Sequence, residues 1–138
     1  MSGIVNTGGA RSGIINPPPS KTVPITRDSA TASGTQAVTG VGFRPTTVFV
    51  IASESANECS IGWCDSSLGG ESLMNDGGRV DNRWGVGFWN AYEIQLMTDS
   101  GSAYSGYISS YDSDGFTVTW VKYGSPTGTI AMRALCIR

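Results

Sequence analysis

The chain has 138 residues with a net charge of −2, and 19 of the residues are Gly. Only 14 % are charged, with four Glu and two Lys, so the usual formers of exposed helices are scarce. That excludes a helical bundle, a coiled coil and a charged disordered tail, and the absence of His removes the Ser-His-Asp triad, imidazole acid–base chemistry and the commonest zinc ligand.

Residues 1–35 read as an extended Gly/Pro-rich arm. Pro17, Pro18 and Pro19 impose an extended polyproline-type path and Pro24 follows shortly after. Residues 1–27 hold Arg11, Lys21 and Arg27 with no acid, a charge of +3, whereas the remainder carries −5. A weakly basic arm on an acidic body lacks the clustered basic face of a nucleic-acid binder. Within the arm, Ser2-Gly3-Ile4-Val5-Asn6 recurs as Ser12-Gly13-Ile14-Ile15-Asn16. Two β-branched pairs on a sparsely charged arm predict docking, with Ile4, Val5, Arg11, Ile14 and Ile15 as contacts and strand addition to a neighbouring sheet as one route. The alternative is an arm folded back over its own domain.

Residues 36–138 predict a β domain of about eight to nine short strands separated by turns every 8–12 residues. Residues 46–52 form an apolar run expected to be central and covered on both faces. In 58–64, Cys59, Ile61 and Trp63 share one face. Residues 83–89 alternate, with Trp84, Val86 and Phe88 on the inward side. Residues 103–111 set Tyr104, Gly106 and Ile108 against Tyr107 and Tyr111, and Ser113-Asp114-Gly115 is a hairpin turn. Phe116, Val118 and Trp120 share a face in 116–123, as do Ile130, Met132, Ala134 and Cys136 in 129–137. The expected fold is an all-β antiparallel sandwich, jelly-roll-like, with an up-and-down barrel as the alternative.

Little in the sequence points to catalysis or to a cofactor. Cys59, Cys64 and Cys136 are an odd number, and a strand places Cys59 and Cys64 on opposite faces, so free thiols are expected. Asp112 and Asp114 resemble the opening of a calcium loop, but the twelfth position is Tyr123 and not Glu, so no metal site is expected. Gly69-Gly70 and Gly77-Gly78 match no phosphate-binding motif. Glu54, Glu58, Glu71 and Glu93 are carboxylates suited to glycoside hydrolysis by type alone. No segment approaches the roughly 20 apolar residues of a membrane helix. Trp63, Trp84 and Trp120 alternate with apolar residues and are assigned to the core. Trp89, Tyr92, Tyr107 and Tyr111 are assigned to an exposed intersubunit or ligand patch.

Three segments carry a family resemblance. Gly9-Ala10-Arg11-Ser12-Gly13-Ile14-Ile15, Val41-Gly42-Phe43-Arg44-Pro45-Thr46-Thr47-Val48 and Asp114-Gly115-Phe116-Thr117-Val118-Thr119-Trp120 resemble stretches of small virion proteins of tailed bacteriophages. They cover about a sixth of the chain, and the motifs are structural, so no catalytic residue carries over. The resemblance implies a non-enzymatic capsid decoration (cement) protein in the virion, assembled in the host cytoplasm. Its partners would be the major capsid protein, met through the arm, and further copies of itself, with a trimer favoured; nucleic acid and membrane are not expected partners. The alternative it implies is a tail or fibre component with a lectin-like, receptor-binding sandwich.

Overall fold

A computed structural model describes residues 19–54, 58–67, 69–75, 86–90, 92–99 and 101–138. The side chains of 73–75, 86–90 and 98–99 lie outside what is described, as does all of 1–18. The described residues form β1 (Ser20–Asp28), β2 (Gly34–Val38), β3 (Thr47–Ser53), β4 (Cys59–Asp65), β5 (Gly69–Asn75), β6 (Val86–Asn90), β7 (Ile94–Asp99), β8 (Ser102–Asp112), β9 (Gly115–Tyr123) and β10 (Thr129–Ile137), with no helix among them.

The strands pair antiparallel in a six-stranded sheet of order β1-β10-β3-β4-β5-β6 and a four-stranded sheet of order β2-β9-β8-β7. The two sheets face each other as a β-sandwich. The pairs β1·β10 and β2·β9 nest as in a jelly roll. The strands between them instead run as two successive meanders, β3 to β6 in one sheet and β7 to β9 in the other.

Strict alternation builds the core. Val48, Val50 and Ala52 of β3 and Ile130, Met132, Ala134 and Cys136 of β10 face Leu96, Tyr104, Phe116, Val118 and Trp120 across the sandwich, and all are buried. Tyr104 stacks on Trp120 at 5.3 Å between centroids. Gly106 makes this possible, because a Cβ there would lie 2.8 Å from the Trp120 ring.

β1 corrects the extent of the arm. Residues 20–28, expected within the arm of residues 1–35, instead pair along their whole length with β10 and bury Val23 and Ile25. Proline has no N–H to donate, and β1 accommodates Pro24 because among the described residues it is an edge strand with β10 alone beside it. Two of the arm's three charges therefore belong to the sandwich. The Arg27 Nε donates to the Tyr104 hydroxyl at 2.9 Å, with its guanidinium 5.8 Å from the Trp120 ring centroid, and the Lys21 Nζ donates to the Gly40 carbonyl.

The β2–β3 connection is tied to the β8–β9 hairpin by Asp114. Its carboxylate accepts from the Gly40 N–H at 2.9 Å and the Gly42 N–H at 2.6 Å, and its carbonyl accepts from the Val41 N–H at 3.1 Å. Gly40 and Gly42 adopt φ of 81° and 87°, which only glycine takes up without strain.

Candidate functional site

The outer face of the six-stranded sheet is apolar where a solvated sheet face is normally polar. In β3 the outward residues are Phe49 and Ile51, in β4 Ile61 and Trp63, and in β10 Leu135; each is between 36 % and 49 % exposed. Register gathers them into one patch. Leu135, Phe49 and Trp63 are consecutive partners in one row, and Arg133, Ile51 and Ile61 in the next. A depression of about 340 Å³ lies against it, lined by Ile51, Ser53, Ala131 and Arg133 among others. At about 200 Å² per large side chain, the five apolar residues expose roughly 400 Å², a size that on a monomer often marks an interaction surface.

This patch overturns two sequence expectations. The 46–52 run is central in its sheet but covered on its inner side only. Trp63 is on the outer face, not in the core, whereas Trp120 is in the core as expected. Trp84 lies outside the described residues. The reason lies in what β4 packs against: its inward residues are the small Ser60, Gly62 and Cys64, and its outward ones include Ile61 and Trp63. Hydrophobic alternation therefore points the wrong way. The inward residues must be small because Glu93, entering β7, occupies the space: a Cβ on Gly62 would overlap the Glu93 main-chain carbonyl, and one on Gly70 would overlap its carboxylate.

The outer face of the four-stranded sheet is different. Thr119 Oγ1 donates to Ser109 Oγ at 2.8 Å, Ser109 Oγ to the Thr117 carbonyl at 3.2 Å, and Thr117 Oγ1 to Asp112 at 2.8 Å. The larger exposed residues there are Tyr107, Val121 and Tyr123, two of them with a polar tip.

A second cluster lies between the sheets. Oε2 of buried Glu93 accepts from the Ile108 N–H at 2.8 Å, and Cys64 Sγ lies 2.8 Å from the Tyr111 hydroxyl. Burial lifts the Glu93 carboxyl to about 7, against the opposing pull of the Ile108 N–H. Burial also pushes the Cys64 thiol up to about 12 and raises the Tyr111 phenol. A thiol held that high stays protonated at neutral pH and is a poor nucleophile. The arrangement is chemically a polar tie between β4, β7 and β8.

The residues assigned to an aromatic patch separate. Tyr92 and Tyr107 meet edge to face at 6.2 Å, but Tyr111 turns inward to Cys64. A register shift between Ile108 and Ser110 breaks the alternation, so Tyr111 pairs with buried Phe116 while Tyr107 pairs with outward Thr119. Trp89 pairs with Ser72 along β5–β6, and its side chain lies outside the described residues. The arm residues Ile4, Val5, Arg11, Ile14 and Ile15 also lie outside them. Asp112 and Asp114 serve as tethers, and Glu54 accepts from Ser29 at 2.8 Å. Among the described residues, no group of three or more His, Cys, Asp or Glu is placed to hold a metal. Cys59 is exposed, Cys64 and Cys136 are buried, and all three are free.

Comparison with protein-family models, curated proteins and solved structures finds no match to this chain.

Proposed function

We propose that this chain is a non-enzymatic structural subunit of a virion, a capsid decoration protein whose N-terminal arm docks on the major capsid protein. The observation that carries a binding role over a catalytic one is the apolar outer face of the six-stranded sheet. A low-charge body that displays Phe49, Ile51, Ile61, Trp63 and Leu135 is suited to permanent contact with neighbours. The repeated Ile-containing pairs of residues 1–16 and the phage-like segments support the virion assignment. The test is deletion of residues 1–16: the body should fold, and incorporation into particles should be abolished. Incorporation at the normal level would refute arm docking.

The Tyr92–Tyr107 pair, edge to face with Tyr107 exposed and Tyr92 half-buried, favours a second reading, a lectin-like tail or fibre component, because an aromatic ring at a surface suits a sugar face. Specific glycan binding lost in Trp89→Ala or Tyr107→Ala, with few copies per particle, would favour it over decoration.

A further inference from the structure

We infer that the outer face of the six-stranded sheet is a two-fold interface between copies of this chain. The inference does not depend on the virion reading, since it concerns only how two copies meet.

The patch has the anatomy of an interface core with a charged rim. Phe49, Ile51, Ile61 and Trp63 lie at its centre on β3 and β4, and Leu135 extends it onto β10. At one corner Arg133 stands beside Ile51. At the opposite corner Glu71 stands beside Trp63 on β5. Among the described residues the Arg133 guanidinium meets the Met132 carbonyl, at 3.0 Å, and no carboxylate. The two charges are three strands apart, about 14 Å, and one two-residue step apart along the strands, about 7 Å.

Opposite charges at opposite corners of one apolar field are self-complementary. A two-fold axis through the middle of the patch carries Arg133 of one copy towards Glu71 of the other, and the reverse pair forms by symmetry. The aromatic pair Phe49 and Trp63 then lies at the centre, where binding energy concentrates. A ring of three uses two different surfaces at each contact and gains nothing from this symmetry, so the face argues for a pair in place of the trimer that the family resemblance implies. A stable dimer needs roughly 800 Å² per partner. The apolar centre supplies about half of that, and Thr22 and Pro24 on β1, Ala131 and Ser53 at one strand end, and Arg133 and Glu71 at the two corners add rim around it.

The test is sedimentation of the full chain across roughly 1–100 μM, where a dimer with a Kd of about 1 μM becomes populated. The wild type should dimerise, and Ile51→Lys should be a folded monomer by circular dichroism. Arg133→Glu and Glu71→Arg should each weaken the dimer by about tenfold or more, and the double reversal should recover most of the loss. A trimer, or a dimer untouched by Ile51→Lys, would overturn the inference. So would a double reversal no better than the single ones. A monomer that dimerises only after residues 1–18 are removed would also overturn it, making the chain's own arm the occupant of the face. Incorporation into particles is read separately, so either proposal can fail without the other.

Discussion

Oε2 of Glu93, on the way into β7, accepts the main-chain N–H of Ile108 at 2.8 Å, directly before the point where β8 loses its regular register. One buried carboxyl thereby holds together a strand start and a bulge. The groups facing it are the Cys64 thiol and the Tyr111 phenol, both shifted upward, with Asp65 adding negative charge near Tyr111.

Stability should therefore fall as pH rises through neutrality. The folded-state value of Glu93 is about 7 against an ordinary 4.5, so the native state holds a proton that the unfolded chain has released. The carboxyl costs nothing extra below 4.5, and the penalty grows up to about 3 kcal/mol as pH passes 7. Urea unfolding of the wild type at pH 5 and pH 8 measures this loss. Glu93→Gln keeps an acceptor for the Ile108 N–H and should flatten the profile.

Gly62→Ala should be among the most damaging single changes. Its Cβ meets the Glu93 main-chain carbonyl, which cannot move without shifting β7, and overpacking of this kind costs about 3 kcal/mol or more. Gly70→Ala meets only the movable end of Glu93. It should be milder, and it should alter the pH dependence by displacing the carboxylate. Denaturation midpoints of the two variants at pH 5 and pH 8 separate these effects.

Thiol labelling should proceed in two stages. Cys59 is exposed and should react at once under native conditions. Cys64 and Cys136 are buried, with burial holding their thiols near 12 and 11, and should react only on unfolding. Counting labelled thiols by mass spectrometry before and after denaturant checks this, with one expected first and two more afterwards.

Asp114→Ala should release the β2–β3 connection. Two main-chain N–H groups lose their acceptor, so hydrogen exchange at Gly40 and Gly42 should accelerate while β9 stays protected. Those N–H bonds, of Gly40 first and Gly42 next, hold the carboxyl below its ordinary 3.8. The tether is therefore complete above that pH and is lost as acid protonates it, and the protection of these two amides, measured against their intrinsic exchange rate at each pH, should fall in the wild type at low pH.

The β class and the inward faces of the last two strands could be read from the sequence because Phe116, Val118 and Trp120 in β9 and Ile130, Met132, Ala134 and Cys136 in β10 recur at every second position, whereas the order of the strands in the sheets was not legible. β1 was hidden by Pro24, whose prohibition applies to strands paired on both sides. The outer apolar face was hidden by β4, where the space taken by Glu93 forces small residues inward. Nothing within β4 itself reveals that constraint, which comes from a residue some thirty positions away. Tyr111 departs from the simple alternation of β8 because a one-residue register shift reverses the side chains that follow it, and no residue type announces that shift.

β10 lies between β1 and β3, so the last strand in chain order joins two elements that precede it by roughly 80 to 120 residues. During synthesis the ribosome must release every other strand before the larger sheet can close. Until then β1 has no partner and β3 presents one bare edge. Long-range pairing of this kind folds slowly and leaves nascent chains vulnerable to association with one another. A chain cut at residue 128 would accordingly be recovered as aggregate and not as a smaller sandwich.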